Sequence, residues 1–257
     1  MVYIFRRRGR KNTTVKTMFK IKIVDTVFEI HNIYGYIFQL CKDYIYSGEG
    51  FDFQIFPTQK KIDEERQKIE DESQYSDEYI ENICVYREIC LCLLNKDAFV
   101  MHGAAVGVGT KAYIFTAKSG TGKSTHIALW KKILGDKVYV INGDKPILRY
   151  VDDKLYVYGT PWCGKELWQT NTRAELGGIC FLERANENKI SALQPIDTVN
   201  LIMKQILVPN DAEGVIKTFD MVDKMLRTVK LWKLGCNISA EAAVLSYTTM
   251  HGGNDEN

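Results

Sequence analysis

Residues 117–124 read Ala-Lys-Ser-Gly-Thr-Gly-Lys-Ser, a spacing suited to holding a polyphosphate. Small residues at Ala117, Ser119, Gly120 and Gly122 let the backbone curl with its amides inward, and a helix N-terminus directly behind adds unpaired N–H groups of its own. In this pattern Lys123 reaches the β- and γ-phosphates and the Ser124 hydroxyl ligates magnesium, while Ser119, Gly120, Thr121, Gly122 and Thr125 complete the cradle. The first position is Ala117, where strict forms of the motif carry glycine. The bland alternative is a chance glycine-rich turn. The flanks argue against it, because KAYIFTA before the loop reads as a strand and STHIALWKKIL after it as a helix.

Phosphoryl transfer from a bound nucleotide also needs a carboxylate, either for the metal or for the attacking group. Asp144 is the candidate. The apolar run Val138-Tyr139-Val140-Ile141 ends in Asn142-Gly143-Asp144-Lys145, which puts Asp144 at a strand end, where α/β sheets meet their ligands. Asn-Gly-Asp is equally good turn chemistry, so a solvated turn aspartate is the competing reading. His102, in Met101-His102-Gly103, is a lone histidine in an apolar strand, and periodicity alone favours a packed core residue. Pro161-Trp162-Cys163-Gly164-Lys165 is a rigid, aromatic, basic turn, read equally well as a substrate loop in which Lys165 or Arg173 meets phosphate or as a packed turn. Cys163 has no base placed to activate it as a nucleophile.

These side chains need a frame that brings them together. The pattern after Asn95 predicts strands at 99–108 and 111–116, the loop and its helix, then strands at 138–141, 147–151, 154–158 and 178–182. Helices are expected at 195–207 and 213–227, then a strand at 229–234 and a closing helix at 239–250. Before Asn95, residues 18–30 alternate like strands with one wet face, 33–46 look helical, and 51–56 form a short strand ended by Pro57. Residues 60–72 read as a charged helix or connector, and 79–94 as a helix capped by Ser76. The fold class is therefore α/β, with a small α+β portion over 1–95 and a nucleotide-binding catalytic core over 96–257.

The order strand, His-Gly, strand, phosphate loop, in MHGAAVGVGTKAYIFTAKSGTGKST, resembles the HPr kinase/phosphorylase family and the related ATP-dependent phosphoenolpyruvate carboxykinases. Ser119 to Ser124 are similar to the carboxykinase loop, and Ile141-Asn142-Gly143-Asp144 is similar to the HPr-kinase strand that ends in paired aspartates. Gly159-Thr160-Pro161-Trp162-Cys163-Gly164-Lys165 and Ala174-Glu175-Leu176-Gly177-Gly178-Ile179 look like a stand-alone bacterial branch that includes kinases of lasso-peptide precursors. The resemblance covers roughly residues 98–250 and implies an HPr kinase/carboxykinase-like core using ATP and Mg2+. It further implies that Asp144 accepts the hydroxyl proton or holds the metal, that His102 tunes Asp144, and that Lys123 absorbs developing charge. The acceptor it implies is a serine-type hydroxyl of a peptide or protein, and the assembly of HPr kinases points toward a homo-oligomer. Two departures stand out. Gly143 replaces the first aspartate of the pair, and the family's Glu-x-Arg-Gly-x-Gly-Ile signature is absent, which leaves Glu175 as a candidate metal ligand in a different register. A carboxykinase-like lyase and an ATP-binding scaffold without chemistry are the competing functions. The chain is far shorter than carboxykinases and lacks their arginine-rich substrate segment.

Whole-chain properties exclude other classes. The 257 residues carry a net charge of +2, too little for a general nucleic-acid binder, and the basic run between Arg6 and Lys11 reads as a solvated arm. No uncharged apolar stretch reaches membrane-helix length, and no apolar segment follows the basic N-terminus as in a secretory signal. The seven cysteines contain no Cys-x-x-Cys pair and read as reduced thiols, so a cytoplasmic location is expected.

Overall fold

Strands β1 (Thr14–Ile23) and β2 (Thr26–Tyr34) form an antiparallel hairpin. Its turn is Val24-Asp25, both at positive φ (53° and 54°), which matches the twist of the flanking strands without any glycine to announce it. The computed structural model describes residues 14–69 and 75–252; the basic run between Arg6 and Lys11 lies outside them. The chain divides into two units, one ending at Lys96 and the other beginning at Asp97.

In the first unit β3 (Phe53–Ile55) adds parallel to β2, giving the order β1-β2-β3. The helix expected over 33–46 is reduced to α1 (Tyr36–Leu40) and a single 3-10 turn at Lys42–Tyr44. Pairing wins over propensity at both ends: β2 runs on to Tyr34, and Ile45 bridges back to Ile21. Helix α2 (Gln59–Arg66) occupies the start of the charged segment. Helix α3 (Asp77–Leu93) is capped as its sequence predicts, the Tyr79 amide donating to Ser76 Oγ at 3.3 Å. Its fully buried Glu81 accepts the backbone N–H groups of Ile33 and Tyr34, which fixes α3 to the end of β2.

The second unit holds β4 (Ala98–Val100), β5 (Ala104–Val108), β6 (Lys111–Thr116), α4 (Lys123–Leu134), β7 (Val138–Asn142), β8 (Ile147–Val151), β9 (Lys154–Tyr158), β10 (Arg173–Arg184), β11 (Lys189–Ala192), α5 (Pro195–Met203), α6 (Ala212–Thr228), β12 (Leu231–Cys236) and α7 (Ala240–His251). Together the strands make one mixed sheet. At its centre β10 runs parallel to β6, with β5 antiparallel to both β6 and β7. The long β10 changes partner on its other side, pairing antiparallel with β9 near its start and parallel with β12 over Ile179 to Arg184. That double role explains why it extends well beyond the apolar stretch 178–182. β11 is a polar edge strand whose composition does not announce it. No helix among the described residues is long and apolar enough to cross a membrane.

Strand directions decide where the chemistry lies. β6, β7, β10 and β12 all point their carboxyl ends to one edge of the sheet, and β5, running the other way, begins there. The phosphate loop, Asp144 and His102 are therefore delivered to the same edge by three different strands.

The core packs one face of β5, β6, β7, β10 and β12 against α4 and α7, with Tyr113, Phe115, Trp130 and Trp232 as its largest members. One polar knot sits inside it. Ser246 Oγ accepts from Trp130 Nε1 at 2.8 Å, contacts His126 Nε2 at 3.0 Å and donates to the Ala243 carbonyl at 3.0 Å. With its one proton given to Ala243, the hydroxyl receives a proton from both rings. Burial pushes the His126 imidazole down to about 4, so it sits neutral in the core. Ser246→Ala would strand an indole and an imidazole N–H in an apolar interior. The expected loss is about 1–3 kcal/mol for each donor left without a partner, read as a lower urea midpoint at unchanged slope. A midpoint equal to wild type would show that the knot contributes nothing to stability.

Candidate nucleotide-binding site

The loop 117–122 joins β6 to α4. Gly120 and Gly122 sit at φ +78° and +123°, which side-chain-bearing residues rarely adopt. Thr121 folds back on Lys118, its amide and hydroxyl both donating to the Lys118 carbonyl. From the end of β10, the Arg184 guanidinium donates to the carbonyls of Gly120 and Thr121. Carbonyls of the loop are thus drawn onto protein partners. Ser119 Oγ is shielded from solvent and has no hydrogen-bond partner within the protein, as a donor waiting for an anionic acceptor would be. The Lys123 ammonium, in the first turn of α4, donates to the Ala117 carbonyl at 3.2 Å. Burial lowers its pKa, and nearby Asp144 and Glu166 work in the opposite sense.

The strand expected over 99–108 is broken at Met101-His102-Gly103, and the break builds the site. Gly103 lets the backbone pass tightly; a Cβ there would lie 2.8 Å from Ile114 Cγ2. Its amide donates to the Asp144 carbonyl at 2.9 Å, and the His102 amide donates to the Gln205 carbonyl. The His102 side chain then stands between two partners, with Nδ1 3.1 Å from Gln205 Oε1 and Nε2 3.3 Å from Asp144 Oδ1. His102 is therefore half-buried at the mouth of the site and is not a core residue.

Asp144 is held by its own turn. Asn142, fully buried, gives its side-chain amide to Thr160 and accepts the Asp144 and Lys145 backbone amides on Oδ1 at 2.9 and 2.7 Å. The Asn-Gly-Asp turn thus itself fixes where the Asp144 carboxylate stands at the sheet edge. Burial works to raise the Asp144 carboxyl, but the His102 hydrogen bond and the Lys145 and Lys123 charges outweigh it and hold it below the ordinary aspartate value.

Three participants carry no sequence signal. Gln205 follows α5, about a hundred residues from the histidine it holds. Arg184 is an ordinary strand-end arginine until β10 is laid beside β6. Glu166 enters because the 161–168 segment folds over Gly143: a Cβ at Gly143 would lie 2.7 Å from the Cys163 carbonyl, and one at Gly164 would lie 3.6 Å from Asp144 Cγ and 3.7 Å from Glu166 Oε2. In the same segment, burial pushes the Cys163 thiol up to about 11, against any role as a nucleophile.

Glu175 and Arg173 belong elsewhere. Glu175 pairs in register with Lys111 at the start of β6, whereas the phosphate loop follows its end, roughly 17 Å away along the strand. Its carboxylate is taken by Lys111 at 2.7 Å and Lys154 at 3.5 Å, so it is not a metal ligand of this site. Arg173, two residues earlier, donates to the Tyr158 hydroxyl and lies over the Tyr156 ring, at the end of the sheet opposite the loop 117–122.

The donors present fit a magnesium–nucleotide complex. Ser124 and Asp144 offer hard oxygen ligands, and Ser119, Lys123 and the glycine-rich backbone suit phosphate oxygens. Among the described residues no group of three or more His, Cys, Asp or Glu side chains could cage a metal alone. Magnesium in phosphate sites takes only one or two carboxylates and completes its shell from phosphate and water.

No protein-family model and no curated protein matches the sequence. Among solved structures, the HPr(Ser) kinase/phosphatase from Coxiella burnetii is similar over 62% of this chain and 99% of its own, at 11% identity and a TM-score of 0.35.

Proposed function

We propose that the chain is an ATP- and magnesium-dependent phosphotransferase of HPr-kinase type, passing the γ-phosphoryl group to a serine-type hydroxyl of a peptide or protein. The observation that carries this reading is the meeting of a phosphate loop with a hydrogen-bonded His102–Asp144 pair at one sheet edge, facing Lys123. Such an edge can bind a triphosphate and take a proton within a few ångströms of its end.

In this scheme the loop amides, Ser119 and Lys123 hold the phosphates, and Ser124 and Asp144 hold magnesium. Magnesium, when bound with the nucleotide, supplies neutralising charge on the phosphate oxygens. Asp144 aligns the acceptor hydroxyl and takes its proton as the new P–O bond forms and ADP departs, and His102 orients the carboxylate. Lys123 absorbs charge developing on the leaving oxygens. The first unit, ending at Lys96, has no part in the phosphate chemistry and is assigned to choosing the acceptor. The reaction is placed in the cytoplasm.

The test is transfer from γ-labelled ATP. Incubated with magnesium and serine-bearing peptides, the protein should label a peptide. Tight ATP binding with no transfer to any acceptor would reduce it to a scaffold. Turnover seen only with oxaloacetate would make it a lyase.

A further inference from the structure

The cleft on the other flank of the phosphate loop has no role in the transfer chemistry. It measures about 370 Å³ and is rimmed by Gly120, Thr121 and Gly122. Three large apolar side chains line it: Leu129 on α4, Leu182 on β10 and Ile238 just past β12. Ile238 is 81% exposed, a large apolar side chain at the rim with nothing over it. We infer that this cleft receives the nucleoside of the bound triphosphate and holds it by shape and apolar contact, without reading the edge of the base. The inference rests on the nucleotide-binding reading above.

Position supports the first half. The cleft opens where β6, β10 and β12 end side by side, the edge at which parallel strands of α/β sheets meet ligands, and its volume lies within the ~300–1,000 Å³ of small-molecule clefts. Thr125 and Leu129, one turn apart on α4, line it directly after the magnesium-directed Ser124. Lys123, Asp144 and His102 stand on the opposite flank. A triphosphate threaded through the loop would therefore leave its nucleoside in the cleft and its terminal phosphate at Asp144.

The second half follows from what the polar side chains around the cleft already do. Asn237 gives its amide to the Asn186 carbonyl and accepts the Ser239 amide. His126 Nε2 is engaged by Ser246, and Arg184 by the loop carbonyls. These bonds anchor Asn237, His126 and Arg184 to the protein with part of their hydrogen-bonding capacity, and Thr125, next to Ser124, stands at the phosphate end of the cleft. A base entering the cleft meets Leu129, Leu182 and Ile238, which favour a flat apolar ring and do not distinguish adenine from guanine.

Titration calorimetry on the full chain with ATP, GTP and inorganic tripolyphosphate, each with magnesium, tests both halves. Wild type should bind ATP and GTP with closely similar affinity and tripolyphosphate about tenfold more weakly, the share expected from burying one base face. Ala185→Trp fills the cleft from an exposed position and Ile238→Ser strips its rim. Both should weaken ATP toward the tripolyphosphate value and leave tripolyphosphate unchanged. Equal wild-type affinities for ATP and tripolyphosphate, or unaltered ATP binding in Ala185→Trp, would place the nucleoside elsewhere. ATP binding tenfold or more tighter than GTP would overturn the absence of edge reading. Failure of wild type to bind any of the three would bring down the nucleotide reading itself, and this inference with it.

Discussion

Lys123→Ala is expected to cut turnover by about 30- to 1,000-fold and to weaken nucleotide binding. The ammonium stands in the first turn of α4 with its charge largely withdrawn from water, beside Asp144 and Glu166. A cation in such surroundings interacts more strongly with phosphate than one in solvent, because little water competes for it. Losing one such contact to the transferring group costs on the order of 2–4 kcal/mol of transition-state stabilisation, about 30- to 1,000-fold in rate. In the proposed mechanism the lysine meets the phosphates before and during transfer, so the loss should appear in both kcat and KM. The variant also removes the donor to the Ala117 carbonyl, so circular dichroism and a melting curve should accompany the kinetics. A folded Lys123→Ala protein that turned over at the wild-type rate would show that the loop is not the active site.

Asp144→Asn should be more damaging still. The substitution keeps the side chain's size, and the backbone amides of residues 144 and 145 would still be held by Asn142. What disappears is the negative charge and the capacity to accept a proton. A positioned base is typically worth about 10²- to 10⁴-fold in rate, and a residue that also holds the metal exceeds that range. Phosphoryl transfer should therefore fall below detection while the loop still binds ATP. His102→Ala should cost less and should leave a mark in the pH profile. The His102 hydrogen bond is one of the influences holding the Asp144 carboxyl below its ordinary value, against the opposing effect of burial. Without the imidazole that carboxyl titrates at higher pH, so the acid limb of the rate profile moves upward. Single-turnover transfer across pH reads both variants. Normal transfer by Asp144→Asn would break the mechanism, and an unshifted acid limb in His102→Ala would detach the histidine from it.

Much of the site was legible in the sequence because its main parts are local. A phosphate loop is eight consecutive residues whose glycines answer local backbone demands, and Asp144 follows an apolar strand by two turn residues. Helices α3, α4, α6 and α7 were legible for the same reason, the residues that favour them lying within their own length, and α3 is preceded by its cap at Ser76. The unreadable parts are those set by pairing at a distance. β10 is twelve residues long because three neighbours hold it, and β5 begins at Ala104 because His102 and Gly103 leave the ladder for Gln205 and Asp144. Glu175, a candidate metal ligand standing in a different register from the family's signature, is excluded for a related reason: pairing with Lys111 fixes it at the far end of the strand from the loop.

The close fit over Gly143 limits where negative charge can enter the site. The segment beyond β9 is knitted to the tip of β7, with Thr170 donating to the Ile141 carbonyl and the Gly143 amide donating to the Trp168 carbonyl. With the Cys163 carbonyl 2.7 Å from where a Cβ at 143 would stand, any side chain there must push the segment off the tip of β7. The seated segment and a carboxylate at 143 therefore exclude one another. An additional carboxylate at this mouth has to come from the segment itself, where Glu166 stands.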